Sequence, residues 1–312
     1  MKQALARGTG KYESLLERCL RLEPVPTVVA YPCEATALSG AVEAAQKKLI
    51  APILVGPADK IAATARSANI DLRNLEIVDV PNSIAAAARS VELVREGRAE
   101  VLMKGSLHTD ELMSAIVSRE GGLRTGRRIS HAFIMDVPTY HKVLVVTDAA
   151  INIAPTLEDK VDICQNAIDL VISLGLKKPK VAILCAVETV NSKMQATLDA
   201  AALCKMAERG QIKGGILDGP LAFDNAISKQ AAETKRITSE VAGDPDILLA
   251  PDLEAGNILA KQLSFLANAD SAGMVLGARV PVILTSRADS VRSRIASCAV
   301  ANLVAHARRT RL

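Results

Sequence analysis

Short runs rich in Val, Ile and Leu alternate along the chain with longer Ala-rich stretches whose apolar residues recur at helical spacing. A short apolar run between turn signals predicts a strand, and recurrence near every 3.6 residues predicts a helix. Strands are expected over 25–31, 51–55, 76–79, 101–103, 132–136, 143–147, 180–186, 215–217, 246–249, 273–276 and 280–285. Helices are expected over 35–48, 58–68, 83–96, 110–119, 157–174, 197–209, 225–234, 256–266 and 291–308. Asn82 or Ser83 suits the start of one helix, and Lys47 and Lys48 suit the negative end of another.

Strand and helix in alternation mean an α/β protein with mostly parallel, doubly wound sheets. The segments 132–136 and 143–147 depart from this. Only Pro138, Thr139, Tyr140 and His141 stand at the centre of their connection, so they are expected to pair antiparallel in a second domain. A glycine-rich stretch at 121–126 is the expected domain break. The first domain would hold 1–126 plus 275–312, where the last strand and helix return, and the second would hold 127–274.

Composition narrows the picture. Hydrophobic residues make up 49% of the 312, but only three Phe, three Tyr and no Trp are among them. The core is therefore aliphatic, and a base-stacking platform is not expected. A net charge of +4, from 38 basic and 34 acidic residues, gives no dense basic stripe. It fits a small anionic ligand and no nucleic acid. The six cysteines form no C-x-x-C pair and read as small core residues in a reducing compartment, with a catalytic thiol as the lesser alternative. Residues 1–20 are mixed polar, and no apolar run approaches the ~20 residues of a membrane helix. A cytoplasmic protein without a membrane partner is expected.

Six strands run directly into polar residues: Lys104, Asp148, Glu188, Asp218, Asp252 and Ser286. Ligands of open parallel sheets bind beyond the carboxyl ends of the strands, so residues gathered there can make a site. Each also has a plainer reading as a turn former or helix cap. No G-x-G-x-x-G follows the first strand. The glycines at 121–126 follow a helix and lead into Arg127 and Arg128 rather than Lys-Ser, so a nucleotide-kinase loop is not supported. His108, His131, His141 and His306 are scattered and read as loop or surface residues; no metal is expected.

The segment 285–290 is the densest candidate. It brings the hydroxyls of Thr285, Ser286 and Ser290, the guanidinium of Arg287 and the carboxylate of Asp289 to a helix start. Arginine grips phosphate bidentately, and a helix amino terminus favours an anion. Asp289 reads equally as a helix cap or as a catalytic carboxylate.

With these residues in view, the sequence resembles the phosphate acetyl/butyryltransferase family. The strings are VLMKGS at 101–106, GLRTG at 122–126, TDAAINIAP at 147–155, DGPLAFDNAI at 218–227, VAG at 241–243, PDLEAGN at 251–257 and LTSRADS at 284–290. The resemblance implies exchange of a short acyl group, acetyl or butyryl, between coenzyme A and inorganic phosphate. Acyl-CoA, phosphate and acyl phosphate are the partners, CoA is a substrate, and no cofactor or metal takes part. It also implies a homodimer of two-domain chains with a cleft between the domains, akin to isocitrate and isopropylmalate dehydrogenases.

By motif, Ser286 and Arg287 take the phosphate side and the developing charge. The family's base falls on Ser293, which leaves Asp289 as the nearest carboxylate. The family's further phosphate-binding arginine has no counterpart over 110–114, so Lys104 or Arg124 is expected to supply that charge. Asp148, Asn152, Asp252 and Asn257 are expected at the rim, binding or orienting substrate. Two alternatives stand beside this reading. One is a metal- and NAD-dependent hydroxyacid dehydrogenase using Asp218, Asp224 and Asp252. The other is a non-catalytic acyl-CoA-binding protein, which Ser293 would favour.

Overall fold

A computed structural model describes residues 10–286 and 289–310. The chain divides into two compact units, Tyr12–Arg127 with Ala272–Leu312, and Met1–Lys11 with Arg128–Ser271.

In the first unit, β1 (Val25–Ala30), β2 (Ile50–Gly56), β3 (Glu76–Asp79) and β4 (Val101–Lys104) alternate with α2 (Ala35–Gln46), α3 (Ala58–Ser67) and α4 (Ser83–Arg95). They pair in the order β3-β2-β1-β4, all parallel. Asn82 caps α4 by accepting the Ala85 N–H at 2.9 Å. After α5 (Thr109–Val117), the chain returns with β10 (Asp270–Leu276), β11 (Val282–Ile283) and α11 (Val291–Arg309). β11 lies parallel to β4 but antiparallel to β10, because the two are joined by a tight turn through Gly277 at φ 84°.

The strand expected over 280–285 is thus reduced to two residues. Pro281 has no N–H to give to a ladder, and Thr285 is engaged elsewhere. α1 (Lys11–Cys19), which the sequence pattern did not announce, buries Tyr12 and Cys19. α11 is the central helix of this unit. Every residue from Arg294 to Ala305 is buried, which small side chains such as Ala296, Ser297, Ala299 and Ala301 permit.

In the second unit the order is β5-β6-β9-β7-β8. β5 (Ser130–Asp136) and β6 (Leu144–Thr147) form the expected antiparallel pair. β7 (Lys180–Leu184), β8 (Ile216–Leu221) and β9 (Ile247–Leu249) run parallel to their neighbours. α6 (Leu157–Ser173), α7 (Gln195–Glu208) and α10 (Leu253–Phe265) accompany them. Two expectations are corrected here. The single helix over 225–234 is two, α8 (Phe223–Ile227) and α9 (Lys229–Thr234), because Ser228 is extended and its hydroxyl accepts the Ala231 N–H, starting a new helix. His131 is no surface residue: it is fully buried in β5, its ring edge-on to Phe133 with centroids 4.5 Å apart.

The core of this unit is aliphatic, with Met135, Leu144, Val146, Leu184, Leu221 and Leu248 packed together. A buried ion pair joins α6 to α7. Lys160 of α6 and Asp199 of α7 are both buried and meet at 2.7 Å, and Gln195 donates to the other carboxylate oxygen at 2.8 Å. Such a pair holds only while both charges are present. Asp199→Ala should therefore cost ~3–5 kcal/mol, and the double variant Lys160→Met/Asp199→Leu should recover most of it. Urea unfolding of the three proteins checks this; equal stability of wild type and D199A would refute it.

Candidate active site

The parallel register pairs Leu102 with Val282 and Met103 with Ile283, so Lys104 at the end of β4 lies alongside the start of the 284–290 segment. Lys104 is only 3% exposed, with Nζ 3.4 Å from the Gly105 carbonyl oxygen. The segment itself is closed on the Ser286 backbone. Asp289 Oδ2 accepts the Ser286 N–H at 2.6 Å, and the Asp289 N–H returns to the Ser286 carbonyl at 3.1 Å. The cap of α11 is Ser290, whose hydroxyl oxygen accepts the Ser293 N–H at 3.2 Å. Asp289 is thus not the N-cap. Ser286 is exposed, while Arg287 lies outside the described residues.

The carboxyl of Asp289 is held above the ordinary aspartate range. Burial is the largest cause; the Ser286 N–H and the charges of Arg294 and Lys104 oppose it. A half-buried carboxyl with a raised proton affinity beside Arg294 and Lys104 is a candidate for proton transfer. Arg294 is a residue the sequence reading missed. It donates from Nη1 to Thr285 Oγ1 at 2.7 Å and from Nη2 to the Ser286 carbonyl at 3.1 Å. The available signal was a charge one turn into a helix whose following residues are uniformly small or apolar.

Asp148, Asn152, Asp252 and Asn257 come together in the other unit, where they bind one another's loops. The Asp148 carboxylate accepts the N–H groups of Ala150, Ile151 and Asn152 and the side-chain amide of Asn152. Asn152 also donates to the Ile129 carbonyl and accepts from Arg128 Nε at 2.7 Å. Asp252 caps α10 through the Ala255 N–H, and Asn257 reaches back to the Ala149 carbonyl, both at 2.9 Å. Between them, Gly256 lets α10 lie directly on the Asp148 loop. A methyl group there would overlap the Asp148 carbonyl oxygen and approach Ala250 Cβ to 3.2 Å.

Arg124 is exposed and bridges Ala278, while Thr125 donates to the Gly277 carbonyl at 2.6 Å. The glycine-rich stretch is therefore tied to the β10–β11 turn.

All six cysteines are free. Burial raises Cys33 and Cys185 to about 11, and Cys19, Cys164, Cys204 and Cys298 to about 12. None is set up as a thiolate nucleophile. Asp218, Asp224 and Asp252 form no common cluster among the described residues: each is engaged locally, with Gly219, Lys235 and Ala255. No helix among the described residues is long and apolar enough to cross a membrane.

Residues 83–302 match the profile of a family described as phosphate acetyl/butaryl transferase. The chain is similar to a phosphate acetyltransferase of Rhizobium meliloti, 62% identical over 96% of this chain and 95% of the relative. It is also similar to a phosphate butyryltransferase of Clostridium beijerinckii, 43% identical over 91% and 95%. Its fold matches a solved branched-chain phosphotransacylase from Enterococcus faecalis V583 at TM-score 0.79 and 29% identity, covering 90% of this chain and 99% of that one.

If Gly256 is needed for the close approach of α10 to the Asp148 loop, Gly256→Ala should lose ~1–3 kcal/mol of stability through overpacking. A thermal unfolding midpoint equal to wild type would show that the loops give way instead.

Proposed function

The chain belongs to the phosphate acetyl/butyryl transferase family, and from that premise we propose how the 284–290 segment carries the reaction. The enzyme exchanges a short acyl group between coenzyme A and inorganic phosphate. Acetyl is proposed as the preferred group over butyryl, since the acetyltransferase relative shares 62% of its residues and the butyryltransferase 43%. The observation that carries the site assignment is the Ser286 clasp, with the Asp289 carboxylate on its N–H and Lys104 close enough to act on that carboxylate.

In the direction of acyl-CoA formation, the CoA thiol loses its proton to Asp289 and attacks the carbonyl carbon of the acyl phosphate. The tetrahedral intermediate carries its charge on oxygen, where the Ser286 hydroxyl stabilises it. The carbon–oxygen bond to phosphate then breaks, and Arg287 and Lys104 balance the charge of the departing phosphate. Reversal has phosphate attack the thioester and Asp289 return the proton to the leaving thiolate.

Charge on Arg124 suits the polyanionic end of CoA. Asp148, Asn152, Asp252 and Asn257 act by fixing the loops that precede and begin α10 and follow β6. No metal enters this scheme. A cytoplasmic homodimer is proposed, a compartment to which six free cysteines are suited.

Removing the Arg287 guanidinium takes away a charge-stabilising donor, so Arg287→Ala should lower turnover ~100-fold. The rate of thioester formation from acetyl phosphate and CoA measures it, and a near-normal rate would remove Arg287 from the mechanism. A chelator such as EDTA should leave the wild-type rate unchanged; loss of activity restored by magnesium would count against the metal-free scheme.

Because the Asp289 carboxyl is raised by burial, its base form is lost at a higher pH than for an ordinary aspartate. The acid limb of kcat should therefore lie above the usual carboxylate range and vanish in Asp289→Asn. An identical limb in that variant would assign the base elsewhere.

A further inference from the structure

Arginine is among the residues least often fully buried, because its charge must be matched by hydrogen bonds and a counter-charge. Arg294 is 3% exposed. It stands on α11 at the head of a stretch that is buried on every side. Stability alone would be served there by an aliphatic side chain of similar volume.

Its surroundings explain what the charge is used for. The aliphatic stem is seated against Gly40 of α2: a Cβ at that glycine would come 2.8 Å from Arg294 Cδ and 3.1 Å from its Cβ. That seat fixes the path of the side chain. Beyond it, both terminal nitrogens donate to consecutive residues of one loop, the Thr285 hydroxyl at 2.7 Å and the Ser286 carbonyl at 3.1 Å. Nε has no hydrogen-bond partner among the described residues. An unsatisfied buried donor costs ~1–3 kcal/mol, so the arrangement is not one that stability selects.

We infer that Arg294 is a positioning residue, which holds the Ser286 backbone by its carbonyl while Asp289 holds it by its N–H. This rests on the role proposed above for Ser286. An oxyanion donor works only when held within about 0.5 Å of its productive position. Gripping both peptide groups of Ser286 between a guanidinium and a carboxylate supplies that constraint in advance of substrate.

The grip depends on charge. Among the described residues, the groups that face Asp289 are Lys104 from β4, Arg294 from α11 and the N–H of Ser286. Arg294 is itself faced by Glu34 ahead of α2 and by Cys298 on its own helix. Taking the guanidinium away removes one of the two cations that favour the Asp289 carboxylate among the described residues. The base form is then lost at a higher pH, and the acid limb of kcat moves upward.

The test compares Arg294→Met, which keeps the stem on Gly40, with Arg294→Lys, which keeps the charge, using CoA and acetyl phosphate as substrates. For R294M, kcat should fall ~100-fold, as for a misplaced catalytic group, with both KM values within about threefold of wild type. Its acid limb should move to higher pH. R294K should return the limb and recover about tenfold of the rate.

A folded R294M with kcat within about threefold of wild type would overturn the inference. So would a loss that leaves the limb in place or that lysine does not relieve. If R294M does not fold, Thr285→Val decides, since it removes only the hydroxyl that receives Nη1. An about tenfold fall in kcat at unchanged KM supports the positioning role, and a wild-type rate refutes it. A wild-type protein that forms no thioester from acetyl or butyryl phosphate would instead defeat the functional reading, and this inference with it.

Discussion

A guanidinium buried in an aliphatic unit must find its hydrogen bonds and its counter-charge close by, and Arg294 finds both in the loop ahead of its own helix. That requirement shapes the loop. Thr285 turns its hydroxyl inward, Ser286 turns its carbonyl inward, and Asp289 folds back onto the Ser286 N–H. The parallel pairing of β11 with β4 then sets Lys104 beside them. Within this unit, the assigned chemistry depends on one two-residue strand and the first turns of one helix.

In the other unit a different device gives the same rigidity. The Asp148 carboxylate gathers three backbone N–H groups and one side-chain amide, which ties down the loop after β6. α10 is pressed onto that loop at Gly256 and tied to it by Asn257. The string PDLEAGN is thus a packing instruction: a cap, a missing side chain and a tether, each at a fixed place. Residues that resemble substrate ligands in the sequence are engaged here with backbone.

Much of the fold was legible because strands buried under helices are written as short, mostly apolar runs, as in β1, β4 and β6. The antiparallel pairing of β5 with β6 followed from the short connection between them. What the pattern hid was local. α8 and α9 read as one helix because Ser228 breaks it by its backbone angles and not by its hydropathy. β11 was read too long because the apolar residues at 281–284 are buried without being paired throughout. At the site, Ser286 and Asp289 were legible as a polar cluster at a strand end. Arg294 was not, since a charge on a helix ordinarily signals its solvent face, and only the packing of α11 on α2 reverses that.

In the proposed mechanism the acyl group passes from phosphate to the CoA thiol by attack at the carbonyl carbon. Acetyl phosphate carrying heavy oxygen at its bridging position tests it directly when mixed with CoA and the protein. Acetyl-CoA and inorganic phosphate are expected in equal amounts, with the heavy oxygen in the phosphate. Absence of thioester, or heavy oxygen retained by the acetyl product, would contradict it.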